Sequence, residues 1–287
     1  MTDKIIIKKK INKFKKKIEV SGDKSLSIRW VLFSSLASGV SKAKNLLMSE
    51  DVLAAIEIVK KLGIKVKFRS KICEIYGKGI SGYIFKKNIK LNAKNSGTLG
   101  RLILGLLIDT PYPIKIIGDK SLSQRDFKRV SDPLSEFGVS FKLTKKKYLP
   151  LTIMGSKKLK PINYLEKKGS AQCKSAVIFG GLKTNGTTTI KAKKSRNHTE
   201  LLCKYLNLPL KVTSGKKYDL IKVNKMTNIN KLNYNIPSDI SSSAFFLVLT
   251  ALNSNCELMI KNVNINPSRI GVITILKKMG VKIQFKN

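Results

Sequence analysis

Residues 23–39, DKSLSIRWVLFSSLASG, open with small polar and charged side chains and continue as a run that is apolar on almost every side. A helix of that kind packs in a protein core rather than on its surface. Three later stretches follow the same plan, and the serines that align them with Ser25 recur about every 72 residues. They are NSGTLGRLILGLLIDT at 95–110 (Ser96), GSAQCKSAVIFGGLKTNG at 169–186 (Ser170) and SDISSSAFFLVLTALNSN at 238–255 (Ser241). We therefore predict four repeated units, each built on one buried helix.

Each unit also contains a second predicted helix. The four stretches are EDVLAAIEIVKKLGIKV (50–66), DFKRVSDPLSEFGVSF (126–141), NHTELLCKYLNLPLKV (197–212) and NPSRIGVITILKKMGVKI (266–283). The first and last have the apolar spacing of an amphipathic helix. The four helices are predicted to end at Gly63, Gly138, Asn207 and Gly280, because Gly and Asn are preferred just past a helix C-terminus.

Short β-branched runs after the second helices predict strands, and further strand-like runs precede the next buried helix. The first set is KVKF (65–68), VSFKL (139–143), LKVT (210–213) and VKIQF (281–285). The second is CEIYG (73–77), LTIMG (151–155) and LIKVN (220–224), and KIIIKK (4–9) adds a strand near the N-terminus. The prediction is an α/β protein of repeated units with buried helices inside and sheets outside. An ordinary α/β fold with accidental spacing is the alternative.

The charge balance is strongly basic, with 57 Lys and Arg against 17 Asp and Glu, a formal net charge of +40 over 287 residues. Lysines occur along the whole chain, and only 1 Trp, 8 Tyr and 11 Phe are present to stack on bases. A nucleic-acid surface would be clustered and interleaved with aromatic residues. The pattern favours a general compositional bias over attraction of small anions or binding of nucleic acid, and the latter two stay open.

Cysteine and histidine usage argues against a metal site. The four cysteines lie far apart without a CxxC pair, so we expect neither zinc nor a disulfide framework, and a reducing cytosol fits. The only histidine is His198. The N-terminal residues lack the apolar run of a secretory signal, and AFFLVLTAL (244–252) is too short to span a membrane. We expect a cytoplasmic protein.

The polar openings of the buried helices form the candidate site. Helix N-termini carry free N–H groups and a partial positive charge, so they bind anions. Arginine matches phosphate or carboxylate with two parallel hydrogen bonds. If the openings converge, they form a cationic cavity for a ligand with several negative groups. The residues of these openings are Lys24, Ser25, Arg29, Gly97, Ser170, Gln172 and Lys174. Nearby, Arg125, Ser195 and Arg196 stand ahead of the second helices. The serines could instead be helix caps only, Gln172 a core hydrogen-bonding group and Lys174 a solvated side chain.

Seven stretches, in order, resemble the 5-enolpyruvylshikimate-3-phosphate synthase family. They are SGDKSLSIRWVLFSSLASG, KNSGTLGRLILGLL, GDKSLSQRDFKRVSDPLSEFGV, SAQCKSAVIFGGL, SRNHTELL, IPSDISSSAFFLVLTAL and NPSRIGVITILKKMGVKI. The resemblance covers the whole chain. It implies the enolpyruvyl transferase inside-out barrel, which has six βαβαββ-like units in two domains with the active site between them.

The resemblance also implies roles for individual residues. Shikimate 3-phosphate would be bound by Lys24, Ser25, Arg29, Ser170, Ala171, Gln172, Ser195 and Arg196. Phosphoenolpyruvate would be bound by Lys24, Gly97, Arg125 and Gln172. The implied reaction transfers the enolpyruvyl group to the 5-hydroxyl of shikimate 3-phosphate and releases phosphate, on the route to chorismate and aromatic amino acids. It needs no metal or organic cofactor. A related transferase acting on UDP-N-acetylglucosamine, a non-catalytic remnant and a basic anion- or nucleic-acid-binding protein are the alternatives.

The chain departs from the family pattern in three positions and in length. Ser21 stands where Pro is usual, Ile28 where His is usual, and Asp126 where Pro is usual. Four of six units are present, so we expect residues 21–229 to form a complete three-unit domain, and 1–20 with 230–287 part of a second one. The catalytic carboxylates are expected in the missing C-terminal third. We expect this chain to be weakly active or inactive alone. We also expect it to associate, because the apolar helix SSSAFFLVLTAL (241–252) would lack partners in a one-unit second domain. A full-length member would be a monomer.

Overall fold

The computed structural model describes residue 11 and residues 13–286. They form two compact units, one of which is Lys24–Ile236. The other combines the described residues up to Asp23 with those from Pro237 onward. The strand predicted at 4–9 lies outside the described residues. The division into a complete domain at 21–229 and a partial one at 1–20 and 230–287 stays a prediction.

Helices and strands are interspersed along the described residues. The helices are α1 (Lys24–Leu36), α2 (Glu50–Lys61), α3 (Gly97–Leu106), α4 (Lys120–Ser123), α5 (Lys128–Ser135), α6 (Ala171–Lys183), α7 (His198–Tyr205), α8 (Ile240–Ala251) and α9 (Gly271–Lys278). The strands are β1 (Phe14–Ile18), β2 (Ser38–Lys44), β3 (Lys65–Arg69), β4 (Ile72–Lys78), β5 (Lys90–Asn92), β6 (Ile114–Ile117), β7 (Ser140–Thr144), β8 (Tyr148–Met154), β9 (Asn163–Glu166), β10 (Thr188–Lys193), β11 (Leu210–Ser214), β12 (Tyr218–Val223), β13 (Tyr234–Asn235) and β14 (Cys256–Ile260).

The Lys24–Ile236 unit contains three four-stranded sheets of one design. Their strand orders are β13-β2-β4-β3, β5-β6-β8-β7 and β11-β12-β10-β9. Each has one parallel pair (β13 with β2, β5 with β6, β9 with β10) and two antiparallel pairs. In two of the sheets the parallel strands flank a buried helix in the sequence, whereas β13 returns from far along the chain to pair with β2. The three sheets confirm the predicted repeat.

The helices α1, α3 and α6 form the core of this unit. Their apolar residues are buried almost all round, as predicted. The Phe33 and Phe179 rings join α1 to α6 with centroids 4.9 Å apart. Helices α3 and α6 approach so closely at Gly105 that a Cβ there would lie 2.1 Å from the Ala176 carbonyl oxygen. At this point the backbones of α3 and α6 pack directly against each other.

Helix α8 differs from the buried helix predicted at 238–255. Only Ile240 and Ser243 of this helix are buried, and the side chains of Phe245 and Leu252 are each 79% exposed. In the Lys24–Ile236 unit each apolar helix packs against other buried helices, but α8 packs mainly against β14 and α9. The burial predicted from the repeat is therefore not reached by this helix, whereas the exposed apolar area expected of a one-unit second domain is present.

The predicted C-terminal signals are confirmed. Gly63, Gly138, Asn207 and Gly280 all have positive φ, between 52° and 97°. The strand predicted at 281–285 is wrong, since residues 281–286 are irregular. The equivalent strands β3, β7 and β11 each pair with the next strand along the chain, and no such strand follows among the described residues. The described part of the chain contains no helix long and apolar enough to cross a membrane.

Candidate functional site

Two of the buried helices, α3 and α6, begin at serine side-chain caps. Ser96 Oγ accepts from the Leu99 N–H at 3.3 Å, and Ser170 Oγ accepts from the Cys173 N–H at 3.3 Å. A serine that caps through its oxygen keeps its own hydroxyl proton, so capping and ligand binding are compatible. The loop before α6 is itself held, because the buried Glu166 carboxylate accepts from the N–H groups of Lys168 (3.2 Å) and Ser170 (2.9 Å).

Arg29 lies at the centre of one cluster. It projects from α1, is 3% exposed, and donates from Nε to Thr199 Oγ1 at 2.7 Å. Its Nη2 donates to Ser175 Oγ at 3.2 Å, and its Nη1 donates to the Ser25 carbonyl oxygen at 3.0 Å. Ser175 belongs to α6 and Thr199 to α7. The guanidinium therefore joins three helices near their N-terminal ends.

A buried ion pair lies beside that cluster. Lys174 Nζ is 2.6 Å from Glu200 Oε1, and the two side chains are 0% and 7% exposed. The contact is a close ion pair without an aligned hydrogen bond, and Glu200 Oε2 has no hydrogen-bond partner among the described residues. The solvated position considered for Lys174 is wrong. The pair instead ties the first turn of α7 to α6.

A second cluster surrounds the first turn of α3. Arg101 Nη1 donates to Gln172 Oε1 at 2.6 Å, and Gln172 Nε2 donates to Thr98 Oγ1 at 3.0 Å. A Cβ built at Gly97 would lie 3.0 Å from Arg101 Nη1 and 3.1 Å from Arg125 Nη1, so two guanidiniums flank this glycine. Burial lowers the pKa of Arg101, and the neighbouring guanidiniums lower it further. Such an arrangement favours an anion between the positive groups.

The two clusters share helix α6. Gln172 and Ser175 are three residues apart, so they lie on one face of that helix. Gln172 contacts Arg101 of α3, and Ser175 contacts Arg29 of α1. The structure thus brings Arg29, Gln172, Gly97 and Arg125 together around the helix N-termini. Their ligand-binding roles stay a prediction.

The predicted site residues differ in their exposure and contacts. The Lys24 side chain is half exposed, with Nζ 2.8 Å from Asp51 Oδ2 of α2. Ala171 is the buried first residue of α6. Arg125 is exposed and donates from Nη2 to Asn95 Oδ1 at 2.7 Å. Ser195 Oγ is buried without a hydrogen-bond partner among the described residues, and Arg196 is exposed. Ser195 and Arg196 precede α7, the helix that carries Thr199.

The three residues that depart from the family pattern each have defined surroundings in the structure. Asp126 Oδ1 accepts from the Arg129 N–H at 3.3 Å, and its Oδ2 lies 3.8 Å from Lys147 Nζ. The carboxylate thus accepts a hydrogen bond from the first turn of α5 and faces a lysine. Ile28 is fully buried in the core, and the Ser21 carbonyl oxygen accepts from the Asp239 N–H at 3.0 Å.

Three residues of the site were missed by the sequence analysis: Arg101, Ser175 and Thr199. A signal existed for Arg101, because it is one of only seven arginines and stands in the apolar run GRLILGLL. The two hydroxyl residues carry no comparable signal, since isolated Ser and Thr occur throughout the chain. Among the described residues, no group of three or more His, Cys, Asp or Glu is placed to hold a metal ion.

Comparison with known proteins connects this geometry to one family. A family model for EPSP synthase (3-phosphoshikimate 1-carboxyvinyltransferase) matches residues 8–287. The chain is 39% identical over 277 residues to the 3-phosphoshikimate 1-carboxyvinyltransferase of Caldicellulosiruptor saccharolyticus, covering 96% of this chain and 63% of that protein. The enzyme of the same name from Caldicellulosiruptor bescii is 40% identical over 290 residues, covering 100% of this chain and 65% of that protein.

A solved structure shows the same fold. The structure of EPSP synthase from Acinetobacter baumannii at 2.37 Å superimposes with a TM-score of 0.85 and 34% identity, covering 94% of this chain and 60% of that one. This likeness confirms the predicted fold class of repeated α/β units with helices inside. The chain spans less than two thirds of the length of these relatives.

Proposed function

Because the chain belongs to the EPSP synthase (3-phosphoshikimate 1-carboxyvinyltransferase) family, we propose that its Lys24–Ile236 unit binds shikimate 3-phosphate and phosphoenolpyruvate for enolpyruvyl transfer. In this reaction the 5-hydroxyl oxygen adds to C2 of phosphoenolpyruvate while C3 gains a proton. A proton from C3 and the phosphate then leave, which restores the double bond as an enol ether. That this chain carries out the reaction of its longer relatives is itself part of the proposal, because the chain matches only 60–65% of their length.

The observation that carries the proposal is the Arg29 cluster. Its guanidinium is almost fully buried and held by oxygens of Ser25, Ser175 and Thr199. A fixed guanidinium beside helix N-termini favours a phosphate, because Arg and backbone N–H groups both donate to phosphate oxygens. In the proposal this cluster meets the 3-phosphate of shikimate 3-phosphate, with Ser170, Ser195 and Arg196 adding donors.

The second cluster, around Gly97, is proposed to bind phosphoenolpyruvate. The guanidiniums of Arg101 and Arg125 flank Gly97, and Gln172 contacts Arg101. The repulsion between these positive charges increases when they are partly removed from water. An anion bound between them would offset that repulsion. Lys24 is proposed to reach both ligands from the start of α1.

These assignments concern binding and orientation. The proposed residues neutralise the phosphates and carboxylates of two anionic substrates, and we assign no proton transfer at C3 to any of them. The cytoplasmic location and the tendency of the chain to associate stay predictions.

Isothermal titration with shikimate 3-phosphate tests the proposal. We expect Arg29→Ala to weaken binding by about 2 kcal/mol or more, roughly thirtyfold, because it removes charge-assisted hydrogen bonds. Arg69→Ala is the matched control, since the Arg69 side chain is 66% exposed on β3 and lies outside both clusters. We expect it to bind as the wild type does.

Two outcomes would replace the proposal. Binding of UDP-N-acetylglucosamine in preference to shikimate 3-phosphate would favour the related transferase. Salt-dependent binding of random-sequence DNA without binding of shikimate 3-phosphate would favour a basic binding protein.

A further inference from the structure

Two hydroxyl residues lie on one edge of the Arg29 guanidinium. Nε donates to Thr199 Oγ1 at 2.7 Å, and Nη2 donates to Ser175 Oγ at 3.2 Å. The two hydroxyl oxygens are themselves 2.7 Å apart, so one hydroxyl donates its proton to the other. Thr199 and Ser175 are 0% and 1% exposed. This edge of the guanidinium is therefore engaged by two connected acceptors inside the protein.

The arrangement fixes the plane of the guanidinium. The five N–H groups of arginine have a rigid, planar geometry, so holding Nε and Nη2 on one edge sets the direction of the remaining N–H groups. A third bond from Nη1 to the Ser25 carbonyl oxygen, at 3.0 Å, restrains the group from the side of its own helix. Arginine has much rotamer freedom to lose on binding, and a side chain that is already held loses less.

We propose that Thr199 and Ser175 are positioning residues, which hold the Arg29 guanidinium in the orientation that meets the phosphate of shikimate 3-phosphate. The inference rests on the proposed function of the site. Neither hydroxyl needs to touch the ligand, because each acts through Arg29. Thr199 contributes more than Ser175 to holding the guanidinium, because its contact with Arg29 is the shorter of the two and comes from Nε.

Isosteric variants separate positioning from packing. Thr199→Val keeps the shape and removes the acceptor, and Thr199→Ser keeps the acceptor. Thr184→Val is the matched control, because Thr184 is equally buried and its Oγ1 donates to the Gly180 carbonyl oxygen at 2.9 Å, at the opposite end of α6. Ser175→Ala gives a second test, which remains usable if Thr199→Val does not fold.

Two measurements are made on the full chain. The first is the affinity for shikimate 3-phosphate. We expect Thr199→Val to lower it about tenfold and Ser175→Ala about threefold, whereas Thr199→Ser and Thr184→Val stay within about twofold of the wild type. The second is the Nε–H signal of Arg29 in ¹⁵N NMR without ligand, identified among seven arginines by its loss in Arg29→Lys. Thr199→Val should shift or broaden that signal, and Thr184→Val should not.

The Arg29→Lys background provides the decisive comparison. Lysine has no Nε–H in that position, so adding Thr199→Val should cause no further loss of affinity. An equal loss in both backgrounds would overturn the inference, because Thr199 would then act on the fold and not through Arg29. An unchanged Arg29 signal in both Thr199→Val and Ser175→Ala would also overturn it. If the wild type does not bind shikimate 3-phosphate, the proposed function fails, while the NMR signal still decides whether the hydroxyls hold Arg29.

Discussion

Replacement of Lys174 by Met should destabilise the Lys24–Ile236 unit strongly. Lys174 Nζ lies 2.6 Å from Glu200 Oε1, and both side chains are almost completely buried. The substitution leaves the Glu200 carboxylate buried without its positive partner, while Met fills much of the same volume. Breaking a buried ion pair on one side costs about 3–5 kcal/mol.

The expected change is large enough to measure by thermal unfolding. For a domain of about 200 residues, 1 kcal/mol shifts the melting temperature by roughly 2–4 °C, so the variant should melt about 6–20 °C below the wild type. Far-ultraviolet circular dichroism of the full chain follows the transition. The double variant with Glu200→Leu should recover most of the loss, because a similar apolar pair removes both buried charges.

An exposed ion pair provides the control. Lys128 and Asp132 also form an ion pair, but both side chains are 55% exposed. We expect Lys128→Met to change stability by about 0.5 kcal/mol or less, since such a pair is solvated in both states. The reasoning would be refuted if Lys174→Met melted within about 2 °C of the wild type. It would equally be refuted if the double variant were less stable than the single one.

Three further predictions concern the second cluster, the thiols and α8. Gly97→Ala should weaken phosphoenolpyruvate binding about tenfold, measured with shikimate 3-phosphate present, because the new Cβ lies 3.0–3.1 Å from two guanidinium nitrogens; unchanged affinity would contradict this. Burial raises the pKa of Cys73 to about 12. At pH 8 iodoacetamide should therefore label the partly exposed Cys256 and leave Cys73 unmodified until the protein unfolds. Equal labelling of the two cysteines, measured by mass spectrometry, would contradict this. Replacing both Phe245 and Leu252 by Lys should reduce self-association in sedimentation velocity, since these two side chains are each 79% exposed; a variant that associates like the wild type would argue against α8 as the cause.

Local features of the fold could be predicted from the sequence because short-range physics determines them. Ser96 and Ser170 cap helices through contacts with residues three positions away, and Gly63 and Asn207 adopt positive φ where their helices end. The repeat spacing likewise followed from apolar patterns that each cover a single helix. Because each of these features depends on neighbours within one or two turns, the order of the residues was sufficient to determine it.

The partners of the site residues were decided only by the tertiary structure. The Nε contact of Arg29 reaches a threonine 170 residues away, and the Arg101 contact reaches Gln172 across 71 residues. Nothing near Thr199 in the sequence indicates that it meets an arginine, because that meeting requires α1, α6 and α7 to pack together.

The same distinction explains where the sequence predictions were wrong. The apolar run of α8 resembles those of α1, α3 and α6, yet only two of its residues are buried. An apolar pattern indicates that burying a surface lowers the free energy, but it does not provide the neighbouring elements that would bury it. Likewise, VKIQF has the composition of a strand, and a strand forms only where a neighbour accepts its backbone hydrogen bonds. The sequence by itself determined which segments could become helices, caps and strands, while the packing of distant segments decided which were buried, which were paired, and which oxygens hold Arg29.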